Sequence, residues 1–175
     1  QSGGSTSVSE SGTTDTFTVV LNAGPTSDVV FSITSGDTGE ATVTSSLTFT
    51  PANWNSAQTV TVTGADDNLI DGSITSTITV SVNDANSNDS FDGVADQTVS
   101  VTTTDNDTAG FTITQSGGST SVSESGTTDT FTIVLNAQPS SNVVFSIASS
   151  DTGEATVIST LEFTASNWNS AQTVT

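Results

Sequence analysis

The chain has 175 residues, among them 19 Asp and Glu and no Lys, Arg or His, which gives a formal net charge of -19. With no cationic side chain it has nothing to neutralise phosphate, which excludes nucleic-acid binding, and an anionic membrane surface would repel it. There is no Cys, so disulfides and thiolate metal sites are excluded. No apolar run approaches the ~20 residues of a membrane-spanning helix.

Apolar residues make up 31% of the chain and alternate with Thr and Ser. Period two is the signature of half-buried strands, and Thr suits a pleated surface. In chain order, TFTVVL sends Phe17, Val19 and Leu21 to one face and Thr16, Thr18 and Val20 to the other. After the Gly24-Pro25 turn, VVFSI aligns Val29, Phe31 and Ile33. Beyond Gly36-Asp37, LTF offers Leu47 and Phe49, and Trp54 precedes a strand with Val60 and Val62 inward. Trp54 reads as an aromatic covering the core or its rim. Thr59, Thr61 and Thr63 face outward, the expected filler of a solvent-facing strand in a Lys-free chain. The longest run, SITSTITVSV, follows Asp71-Gly72 and turns Ile74, Ile78, Val80 and Val82 inward. Asp84, Asp89, Asp92 and Asp96 fall in a loop around Asp92-Gly93 and read as solvated turn residues. TVSVTT then supplies Val99 and Val101, and FTIT supplies Phe111 and Ile113. Seven or so short strands with this punctuation predict an all-β, immunoglobulin-like Greek-key β-sandwich.

The segment from Gln1 to Thr61 recurs from Gln115 to Thr175, with about 50 of the 61 positions identical. The offset of 114 residues is too long for a solenoid unit and matches one whole sandwich module. The boundary is placed at Asp105-Asn106-Asp107-Thr108. Residues 1–107 then form one module lacking its first strand, and 108–175 form the N-terminal part of a second. On this phase the chain is expected to be a window on a longer array. As a mature subunit it would instead exchange strands with its neighbours to build a fibre.

Four landmarks come in a definite order: VSESG, ATVTSSLTFTPANW, QTVTVTGADDNLIDG and TTTDND. Together they resemble the Calx-β motif of sodium–calcium exchangers and large bacterial surface proteins, over roughly Val8 to Asp107. The resemblance implies an immunoglobulin-like sandwich that binds calcium at one pole. Carried over position by position, the ligand candidates are Glu10, Asp66, Asp67, Asp71, Asp105 and Asp107, with Glu124 the second-repeat counterpart of Glu10. Two positions depart from the family pattern. Asp71 is followed by Gly72 and Ser73 instead of a second acid, and Ser45-Ser46 stand where the family has Asp-Tyr.

The residues support the same chemistry independently. Calcium takes six to eight oxygens, and DDNLID and DND each concentrate carboxylates in loops with no cationic side chain to balance them. The plain alternative is a solvated acidic surface. Catalysis is not expected: a Ser nucleophile has no His or Lys base, and Gly3-Gly4 and Gly117-Gly118 lack a strand-to-helix phosphate-loop setting. The expected role is therefore a spacer or stalk module of an extracellular surface adhesin or matrix fibre, whose partners are neighbouring repeats or subunits. The alternatives are a self-assembling extracellular filament and a carbohydrate- or protein-binding module.

Overall fold

Alternation of Val, Ile and Phe with Thr and Ser is realised as strands throughout the structure, a computed structural model that describes residues 5–175. The chain divides into two units. The first holds the described residues up to Asp67 together with Asp71–Asn106; the second holds Asn68–Ile70 and Asp107–Thr175.

Eight strands build the first unit: β1 (Thr6–Ser9), β2 (Thr14–Val19), β3 (Val29–Ser35), β4 (Ala41–Val43), β5 (Ser46–Phe49), β6 (Gln58–Gly64), β7 (Ile74–Val82) and β8 (Gln97–Thr104). One sheet runs β1-β8-β7-β3-β5 and the other β2-β6-β4. From β1 to β7 each strand crosses to the opposite sheet, and only β7 and β8 pair directly as neighbours in sequence. This crossing makes the fold a Greek-key sandwich, all-β as the sequence predicts. β1 runs parallel to β8, while the other pairings are antiparallel.

The period of two places the core. Phe17, Val60 and Val62 from one sheet meet Val29, Phe31, Ile33, Phe49, Ile78, Val80 and Val101 from the other. Phe31 and Phe49 pack edge to face at 5.9 Å. Each such side chain contributes about 1.5–3 kcal/mol on burial. Trp54 packs partly buried against this core. On the outer face, Thr14, Thr16 and Thr18 of β2 stand opposite Thr63, Thr61 and Thr59 of β6.

β1 and β4 are strands that alternation does not reveal, because each is short and mostly Ser, Thr or Ala. Their pairing is settled by long-range partners, β8 for β1 and β6 for β4. Between β7 and β8, short 3-10 turns at Asp84–Asn86 and Asp89–Phe91 leave Asp84, Asp89, Asp92 and Asp96 exposed.

The second unit contains β9 (Phe111–Gln115), β10 (Phe131–Leu135), β11 (Val143–Ser146), β12 (Thr160–Phe163) and β13 (Gln172–Val174). They form a β13-β10-β9 sheet and a β11-β12 pair. Its core is smaller, built on Ile133, Leu135, Phe163 and Val174. Among the described residues no helix is long and apolar enough to cross a membrane.

Candidate metal centre

Antiparallel connection brings the end of β6 and the start of β7 to one pole of the first unit. The parallel pairing of β1 with β8 brings their ends to the same place. Ser9 pairs with Thr104, and the Glu10 N–H donates to the Thr104 carbonyl at 3.2 Å, which turns the Glu10 side chain over the pole. Gly64 permits this close approach, because a Cβ there would lie 2.0 Å from the Ser9 carbonyl oxygen.

Glu40 arrives from the turn between β3 and β4. Asp37 shapes that turn, its Oδ1 accepting the Gly39 N–H at 3.0 Å and its carbonyl the Ala41 N–H at 3.1 Å. The Glu40 carbonyl is then held by the Ala65 N–H at 2.8 Å and the Thr103 hydroxyl at 3.2 Å. Asp67 lies just after β6 and Asp71 just before β7.

Carboxylate oxygens of Glu10, Glu40, Asp67 and Asp71 lie within 4.8 Å of one another. Glu10 is 1% exposed and Glu40 6% exposed, whereas Asp67 is half-buried and Asp71 exposed. The Glu10 carboxylate accepts the Asn106 N–H at 3.2 Å. Glu40 Oε2, by contrast, is buried without a hydrogen-bond partner. Two unit charges at such a separation repel by about 3 kcal/mol or more at an effective dielectric of 20.

Both glutamates respond to this crowding. Burial pushes the Glu10 carboxyl above its ordinary value, the Asn106 hydrogen bond partly opposes that, and Asp105, Asp67 and Asp71 push it further up. Glu40 is raised first by burial and then by Asp71, Glu10, Asp37 and Asp67. No cationic side chain exists anywhere in the sequence to relieve either group.

The donor set is all oxygen, which suits a hard cation and offers neither nitrogen nor thiolate for zinc. Four carboxylates on loops can bind through one or two oxygens each, the adaptable geometry calcium accepts and magnesium resists. The buried, unpartnered Glu40 oxygen fits such an ion, because coordination supplies the counter-charge that no side chain can.

Of the sequence candidates, Glu10, Asp67 and Asp71 come together here. Asp105 is half-buried close by, its Oδ2 accepting the Gly72 N–H at 2.9 Å. Asp66 points elsewhere: it is exposed, and its Oδ1 accepts the Asn106 side-chain amide at 3.0 Å. Asp107 is half-buried and belongs to the second unit, as does Glu124, which is exposed. Sequence reasoning missed Glu40. It looked for an acid at Ser45-Ser46, five residues too late, although Glu40 recurs unchanged as Glu154 ahead of the same ATV run.

No family model matches the chain, and no curated protein matches it. Among solved structures it is similar to SSP-19, an MSP-domain protein like family member in Caenorhabditis elegans. That match has 19% identity over 58% of this chain and 92% of the other, with a TM-score of 0.37. It is also similar to the CupB2 chaperone of Pseudomonas aeruginosa, at 11% identity over 98% and 96% of the two chains, with a TM-score of 0.41. Neither likeness bears on function.

Proposed function

We propose that this chain is part of the spacer of an extracellular surface protein, a tandem array of Calx-β-like sandwich modules, and that calcium fills the Glu10–Glu40–Asp67–Asp71 cluster. The observation that carries the reading is the Glu40 carboxylate: it is buried, lacks a partner at Oε2, and faces three more acids. A merely solvated acidic surface would leave its carboxylates in water. The ordered landmarks shared with Calx-β modules point to the same pole. Binding there ties together the ends of β1 and β6 and the starts of β4 and β7, which stiffens the module. The role is mechanical and non-catalytic, since the sequence holds no general base of the His or Lys type.

A thermal melt in calcium and in chelator, at matched ionic strength, tests this. Trp168→Phe leaves Trp54 as the reporter of the first unit. At 100 times its dissociation constant, calcium adds about 2.7 kcal/mol to the folded state. For a unit of this size the midpoint should rise by roughly ten degrees or more. Equal midpoints in the two buffers would reduce the cluster to acidic surface and remove calcium from the proposal.

A further inference from the structure

The cation cluster of the first unit draws two of its four acids, Asp67 and Asp71, from one connection, the chain between Gly64 and Ile74. A connection outside the strands moves unless contacts from elsewhere hold it. Ordering it at the moment of binding would subtract from affinity for an ion that must meet both acids at once.

Both flanks of the two acids are held by the pair of residues that follows β8. Beside Asp67, the Asn106 side-chain amide donates to Asp66 Oδ1 at 3.0 Å. Beside Asp71, the Gly72 N–H donates to Asp105 Oδ2 at 2.9 Å. Asn106 also makes a second bond, its backbone N–H donating to Glu10 Oε2 at 3.2 Å. One residue thus joins two carboxylates that lie 96 and 40 positions away in the chain. Its chemistry suits the pole. With no Lys, Arg or His in the sequence, the carboxylates can be met only by neutral donors or by an ion. A primary amide donates without adding charge. An Asp at this position would set another carboxylate against Asp66 and Glu10, and a Lys would supply the counter-charge in place of the ion.

We infer that Asn106 is a positioning residue of the cation site, acting on the ion through Glu10, whose carboxylate it orients, and through Asp66, by which it keeps Asp67 in reach. This rests on the calcium reading of the Glu10–Glu40–Asp67–Asp71 cluster and adds the residue that preorganises it. Asp66 gains a role as well: it is not one of the four acids but the handle by which their connection is held. Asn106 and Asp66 are both exposed, and a bond between exposed groups contributes little to global stability. Its effect should therefore appear in calcium affinity more than in the metal-free melt.

The test is calorimetric titration of the whole chain with calcium, alongside melts in chelator. Asn106→Ala removes the side-chain donor and keeps the backbone N–H, and should weaken calcium binding about fivefold. Asp66→Ala and Asp66→Asn remove the same charge, but only Asn leaves an oxygen to accept from Asn106. Asp66→Asn should therefore bind about fivefold more tightly than Asp66→Ala. In the Asn106→Ala background the two Asp66 variants should bind alike, because the pair is coupled. Midpoints in chelator should stay close to that of the parent. No binding by the wild-type chain would overturn the cation site and this role with it. Calcium binding that is unchanged by Asn106→Ala would overturn the positioning role alone. Equal affinities of Asp66→Ala and Asp66→Asn in the wild-type background would overturn it equally.

Discussion

Glu10 and Glu124 sit in the same eighteen-residue sequence, QSGGSTSVSESGTTDTFT, yet one is almost wholly buried and the other exposed. Local geometry is the same in both copies. The Ser7 N–H donates to Asp15 Oδ2 at 3.1 Å and the Ser121 N–H to Asp129 Oδ2 at 2.8 Å. The Ser9 and Ser123 N–H groups donate to Thr13 and Thr127 hydroxyls at 2.7 and 2.9 Å. What differs is the neighbourhood. Thr6–Ser9 lies along β8 and becomes β1, whereas Thr120–Ser123 pairs with no strand among the described residues and remains irregular. The comparison teaches that this sequence encodes its turns by itself, but its strand pairing and its acidic pole only in company.

The largest effect to sharpen the comparison comes from the cores. Phe49 and its counterpart Phe163 are both fully buried. Phe49→Ala should cost the first unit about 3–5 kcal/mol, because the cavity spans two sheets that cannot close on it. Chemical denaturation followed by Trp54 fluorescence in a Trp168→Phe background measures the loss. A cost below about 1 kcal/mol would mean that the two sheets do not unfold together.

The metal pole gives the next effect. Glu10→Gln with Glu40→Gln should erase the calcium-dependent rise of about 2.7 kcal/mol expected at 100 times the dissociation constant. Glu124→Gln with Glu154→Gln should leave that rise intact, because neither residue belongs to the Glu10–Glu40–Asp67–Asp71 cluster. In chelator the first double variant should be no less stable than the parent, since it removes two buried charges that lack a cationic partner. Calcium titrations of both variants by calorimetry would break the comparison if the two behaved alike.

Dependence on pH follows in size, and its sign can be worked out. Glu10 and Glu40 hold protons more readily folded than unfolded, because burial and neighbouring acids raise both carboxyls. Where the folded state binds more protons, stability falls as pH rises. The metal-free first unit should therefore gain stability as pH falls from neutrality through the raised values, and level off near the ordinary carboxylate value. With calcium bound the trend should reverse, since protons compete with the ion. Melts from about pH 7 to pH 5 with and without chelator would show it. Parallel curves in the two buffers would contradict the coupling.

Smallest is the difference in backbone protection. The Glu10 amide, bonded to the Thr104 carbonyl, should exchange more slowly than that of Glu124, and Val8 more slowly than the exposed Val122. Equal rates by nuclear magnetic resonance would show that β1 frays as freely as its counterpart.

The sequence alone determined the sandwich class, the repeat and the inward residues, because period two and turn chemistry are local signals. Phe17, Ile33, Phe49, Val62 and Val101 could be read as core one by one, and the turns at Gly36-Asp37 and Asp71-Gly72 with them. Only the tertiary structure decided which acids meet. Asp66 and Asp67 are adjacent in sequence, yet in the loop after β6 Asp67 joins the cluster and Asp66 bonds Asn106. Glu40 belongs to the cluster because β4 returns beside β6 and Thr103 fixes its carbonyl, a contact across 63 residues of chain. Hydrophobic alternation says which way a side chain faces; which strand lies beside it is set by long-range packing, and the chemistry of the pole follows from that.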